Sequence, residues 1–92
     1  MWERYRGMDR RRTYESLKHN PKNVRFDDLC RAAETFGFFL RGGKGSHRVY
    51  VRQGVTELLN FQNVGGKAKP YQVRQLLKVI ESYNLLEDDN AA

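Results

Sequence analysis

Cysteine is almost missing from this chain. Cys30 is the one copy in 92 residues, so an internal disulfide is excluded. Its place in a helical apolar pattern predicts a small packed side chain rather than a reactive thiol. Proline occurs only at Pro21 and Pro70. No apolar run approaches the roughly 20 residues that a membrane-spanning helix needs. The basic start, Met1 to Arg12, lacks the apolar centre of a signal peptide. Histidine is limited to His19 and His47, and no Cys/His cluster or convincing carboxylate set has the spacing of a metal site. Residues 37–56 hold no acidic side chain at all. These absences argue against a disulfide scaffold, a membrane protein and a metal module. They predict a cytoplasmic domain that needs no metal or other cofactor.

What is present fits one small domain. A chain of this length buries about two-thirds or less of its unfolded surface, and its 39% apolar residues allow one modest core. Seventeen Lys and Arg against eleven Asp and Glu give a net charge of +6. Residues 1–25 carry eight basic and three acidic side chains, a net of +5. Residues 37–56 add four cations, Arg41, Lys44, Arg48 and Arg52. Such a surface suits a polyanion (RNA, DNA or an acidic protein) and equally suits plain solvation.

Periodicity orders the elements. Residues 1–8 have no period and are expected to be poorly ordered, with Trp2 and Tyr5 either packed onto the domain or interleaved with Arg4 and Arg6. Asp9 suits the N-cap of a helix over Arg10–His19, weakly packed through Tyr14 and Leu17 and stopped by Asn20-Pro21. His19 falls at that helix end, where a capping role is the simple one. Phe26, Leu29, Cys30, Ala33 and Phe36 form the buried stripe of a second helix. Asp27 and Asp28 favour its positive end, and Gly37 closes it. A strand over Phe38–Arg41, a turn at Gly42–Gly45, a strand over His47–Arg52, a turn at Gln53-Gly54 and a strand over Thr56–Gln62 make an antiparallel meander. Pro70 opens a last helix with Val73, Leu76, Leu77, Ile80 and Tyr83 on one side, ending near Asn84. The fold class is therefore α+β: an α-β-β-β-α unit on the plan of a double-stranded RNA-binding domain, with an extra N-terminal helix and both main helices on one sheet face. The expected divisions are an N-terminal extension, 1–23, a domain, 24–86, and a disordered acidic tail, 87–92.

The chemistry concentrates at Arg41 to Arg52. Glycines let a backbone approach an anion and turn its N–H groups inward. Lys44 adds a charge and Ser46 a hydroxyl. Histidine moves protons near neutral pH. His47 could thus take a proton from an RNA 2′-hydroxyl while Lys44 and Arg48 stabilise the phosphoryl oxygens. Alternation assigns Val49 and Val51 to the helix-covered face and Arg48, Tyr50 and Arg52 to the open one, as a basic stripe with an aromatic for phosphate contact and stacking. The same alternation leans His47 toward the covered side, although a strand-end residue can sit at the rim. A plain hairpin with a solvated face explains these residues too.

Phe36-Gly37-Phe38, then Lys44-Gly45-Ser46-His47-Arg48-Val49-Tyr50, then a third strand and a lysine-bearing loop before Val73-Arg74-Gln75-Leu76-Leu77 resemble the HicA (YcfA-like) toxin family. The resemblance covers about residues 24–86, and Gly66 to Gln75 is similar to one branch of that family. It implies an mRNA interferase of a type II toxin–antitoxin system, with a HicB-type antitoxin that covers the active site. It also implies that His47 is the catalytic histidine and Gly45 the glycine of its Gly-Ser-His segment. The alternatives are a non-catalytic RNA-binding module on the same fold and a protein-interaction domain.

Overall fold

The computed structural model describes the backbone of residues 2–90 and the side chains of residues 10–87. Its elements are α1 (Trp2–His19), α2 (Phe26–Thr35), β1 (Phe39–Gly42), β2 (His47–Val51), β3 (Leu59–Gln62), α3 (Pro70–Ser82) and a closing 3₁₀ helix, Leu85–Asn90. The strands form one antiparallel sheet in the order β1-β2-β3. This is the α+β arrangement of double-stranded RNA-binding domains, in the element order that periodicity predicts.

The apolar stripes explain the packing. Phe26, Leu29, Cys30, Ala33 and Phe36 of the second helical segment are all buried, as are Val73, Leu76, Leu77 and Ile80 of α3. They meet Tyr50, Leu59 and Phe61 from the sheet in one core. Each fully buried large apolar side chain contributes about 1.5–3 kcal/mol. The end of α2 is closed by two crossed bonds: Phe38 N donates to Ala33 O and Gly37 N to Glu34 O, both at 3.0 Å. That pairing needs a left-handed residue at its centre, and Gly37 has φ 90.

Besides one-residue shifts at β1 and β2, three boundaries differ from the sequence reading. The first helix begins at Trp2, so Asp9 lies inside it instead of capping it. The expected roles of Trp2 and Tyr5 concern side chains outside the described residues. β3 begins at Leu59 rather than Thr56. Thr56 and Glu57 are held instead by the end of α3: Thr56 N donates to the Tyr83 hydroxyl at 3.4 Å, and that hydroxyl donates to Glu57 at 2.8 Å. The closing 3₁₀ helix starts inside the expected domain at Leu85, which is fully buried, and runs on through residues 87–90 of the expected tail.

α1 packs chiefly on α2, α3 and the closing turn, outside the helix layer. Its anchor is Arg10, a residue that reads as surface charge in the sequence. Arg10 is buried, donates to Thr35 O and Leu85 O at 3.0 Å each, and lies over the Phe36 ring at 5.6 Å. Tyr14 adds a 2.6 Å bond to Glu81, which pushes the phenol's pKa upward.

Candidate active site

β1 and β2 converge on the turn that precedes His47. The His47 N–H donates to Lys44 O at 3.0 Å, and Ser46 O accepts the Asn63 N–H at 2.8 Å. The turn is therefore tied both to itself and to the segment beyond β3. Gly43 (φ 144) is indispensable to this geometry: a Cβ there would lie 2.3 Å from His47 O and 2.9 Å from Arg48 Cα. A register irregularity between Leu40 and Gly42 adds a bulge just before the turn, a device that re-aims neighbouring side chains. The result is a shallow depression at the sheet's end bounded by Leu40, Gly43, Lys44, Gly45, His47 and Arg48. A second depression, between α1 and α2, is lined by Arg12, Ser16, Asp28 and Arg31 and has no histidine or thiol among its lining residues.

The faces of β2 are the reverse of those expected. Tyr50 is 1% exposed, packs against Phe61 with ring centres 5.7 Å apart in a tilted arrangement, and belongs to the core. Burial, and then its hydrogen bond with Cys30, pushes its phenol pKa up to about 12. Val49 and Val51 are half-buried on the other side. The physical reason is volume. The space under the two helices takes a large ring better than a valine, and arginine stems on the same face as that ring can run outward to solvent. Arg48 does so, its guanidinium 5.6 Å over the Phe26 ring. Arg52 lies against Gly37, where a Cβ would come within 2.7 Å of its Nε. The open basic-aromatic stripe of Arg48, Tyr50 and Arg52 is thus not formed, and Tyr50 presents no stacking surface.

The same reversal brings His47 out. It is exposed, pairs with Gln62 across the strands, and shares the open face with Val49, Asn60 and Phe39. Lys44, Gly45 and Ser46 are exposed beside it, whereas Arg48, also exposed, leaves β2 on the opposite face. Cys30 is buried, and desolvation pushes its thiol pKa upward, which removes it as a nucleophile. Among the described residues no group of three or more His, Cys, Asp or Glu comes together to hold a metal.

Three residues escape a reading by pattern. Asn60 places Oδ1 3.4 Å from His47 Nδ1. Gln72 is buried, donates to Asn60 O at 2.6 Å and accepts from the Gln62 N–H at 3.0 Å, so it closes the outer edge of β3. Phe39 is 59% exposed, the aromatic that the open face does present. The Phe38-Phe39 pair held that signal, since one of two adjacent strand residues must point outward. Lys67 is committed to Asn23 at 2.8 Å, bracing the loop after β3.

Fold and site together define a small basic domain, with a fold like that of double-stranded-RNA-binding domains and an exposed histidine at the rim of its sheet. A family model described as the HicA toxin of bacterial toxin–antitoxin systems matches residues 26–81, and the chain belongs to that family. It is a toxin-family protein, and the family implies an antitoxin as its partner. No curated protein and no solved structure gives a significant match. Among the described residues no helix is long and apolar enough to cross a membrane.

Proposed function

We propose that the protein is a metal-independent endoribonuclease that cuts mRNA in the cytoplasm, with His47 as general base, and that a HicB-type antitoxin restrains it by covering this site. The observation that carries the reading is the exposure of the His47 ring on the open face, beside a turn built from glycine, lysine and serine. The neutral imidazole takes the 2′-hydroxyl proton; the 2′-oxygen bonds to phosphorus as the P–O5′ bond breaks. The leaving 5′-oxygen takes a proton from water, which reaches the open rim. The products are a 2′,3′-cyclic phosphate and a 5′-hydroxyl. Lys44 and the Ser46 hydroxyl hold the phosphoryl oxygens, and the left-handed Gly45 turns the backbone toward them, while Arg48, on the opposite face of β2, adds only longer-range positive charge. Phe39 offers one unpaired base a stacking surface.

The test is purified protein on a single-stranded RNA in the presence of a chelator. Cutting is expected to persist, to leave cyclic phosphate ends, and to stop when the nucleotide 5′ to the cut is 2′-deoxy. His47→Ala is expected to lose about 10²–10⁴ in rate. Full activity in His47→Ala overturns the assignment. RNA that is bound but never cut by the wild type establishes a binding module instead.

A further inference from the structure

The rim histidine has a neighbour that can choose its reactive nitrogen. The ring's Nδ1 faces Asn60 Oδ1 at 3.4 Å across β2 and β3. Asn60 itself is exposed, but its backbone is not free to move. Gln72 reaches from the first turn of α3, accepts from the Gln62 N–H and donates to Asn60 O. Those two bonds flank Phe61, which is fully buried. The side-chain amide of Asn60 therefore stands on a strand segment clamped from the helix side and locked into the core.

We propose that Asn60, on the strand segment held by Gln72, is a positioning residue that keeps the proton of the neutral His47 ring on Nδ1 and leaves Nε2 as the base. The inference rests on the nuclease reading for its catalytic meaning, but the proton's location can be read without RNA. A ring nitrogen that donates to an acceptor keeps its hydrogen, so the partner of one nitrogen sets the state of the other. An isolated imidazole side chain favours the proton on Nε2, the arrangement that would leave the Asn60-facing Nδ1 as the base. Asn60 Oδ1 reverses that preference. The nitrogen remote from Asn60 is then the unprotonated one, on an exposed ring that lines the depression beside Lys44.

The experiment is ¹⁵N NMR of the full chain without RNA, at an alkaline pH where histidine rings are neutral. The wild type is expected to show His47 mainly protonated on Nδ1. Asn60→Ala is expected to move the population toward Nε2, and Asn60→Asp, whose carboxylate only accepts, to restore it. Because Asn60 is exposed, neither change should lower the unfolding temperature materially, which separates positioning from folding. In the RNA assay Asn60→Ala should lower kcat about fivefold, the scale of one exposed hydrogen bond, with KM unchanged and with rescue in Asn60→Asp. A wild-type ring protonated on Nε2, or a proton distribution that Asn60→Ala leaves unaltered, overturns the proposal. The outcomes are distinguishable from failure of the nuclease reading. A shifted proton with no RNA cutting by any variant keeps the positioning and removes the nuclease. Cutting abolished by His47→Ala but untouched by Asn60→Ala does the opposite.

Discussion

Among single residues, two glycines of one turn carry different constraints. Gly45 has φ 62 but open space where a Cβ would stand, so Gly45→Ala should cost about 1–2 kcal/mol, the usual penalty of a left-handed alanine. Gly43 combines φ 144 with a backbone carbonyl 2.3 Å from where Cβ would be. Gly43→Ala should cost about 3 kcal/mol or more and separate β1 from β2. Urea denaturation of the two variants checks the order, and equal losses would refute it. Tyr50 gives a prediction in pH. Its ordinary pKa of 10.0 is raised to about 12 in the fold. Below pH 10 the phenol is protonated in both states and the stabilisation is complete. Between the two values the unfolded chain ionises first, so stability falls by roughly 2–3 kcal/mol. Tyr14 shifts in the same direction and adds to the decline, and Cys30, raised from an ordinary value of 9.0, begins its own contribution about one pH unit lower. Melting temperatures across that range should drop less steeply in Tyr50→Phe than in the wild type.

Among the elements, α1 shows how a charge can serve as a dock. Arg10, Arg11 and Arg12 are indistinguishable as a basic run, yet only Arg10 turns inward, to the end of α2 and to Leu85 O. Arg11 and Arg12 are exposed. Arg10→Ala removes two charged hydrogen bonds and the contact of a buried guanidinium with the Phe36 ring, an expected loss of about 2–4 kcal/mol. Changing Arg11 or Arg12 to alanine should stay within about 0.5 kcal/mol. Chemical denaturation of the three variants measures both. α2 and α3 are legible in the sequence because 3.6-residue spacing needs only one buried stripe to be recognised, and Asp27, Asp28 and Pro70 mark their starts. Pattern alone makes β3 too long because Thr56 and Glu57 alternate acceptably as a strand. Their hydrogen bonds to Tyr83, 27 and 26 residues away, are invisible to a local pattern.

Across the whole molecule the charge has a direction. Arg41, Lys44 and Arg48 are exposed cations around the sheet's end, and residues 37–56 contain no anion to offset them. If each neutralises one phosphate of a single strand, RNA affinity should fall about twentyfold between 50 and 200 mM salt. Binding to the His47→Ala protein, titrated at several salt concentrations, checks this without cleavage. A salt-independent affinity would place binding elsewhere.

Local sequence suffices for the element order, the two amphipathic helices, the meander and the concentration of glycine, lysine, serine and histidine at one turn. These follow from periodicity, turn chemistry and charge, which each segment carries alone. Which face of β2 lies inside is settled by long-range packing instead. Alternation divides His47, Val49 and Val51 from Arg48, Tyr50 and Arg52, and both sets contain apolar atoms enough to be buried. The choice fell to the volume beneath α2 and α3, which Tyr50 fills against Phe61. That packing turned His47 outward, brought Asn60 beside it and called on Gln72 to close the strand edge, contacts made across 10 to 13 residues of chain.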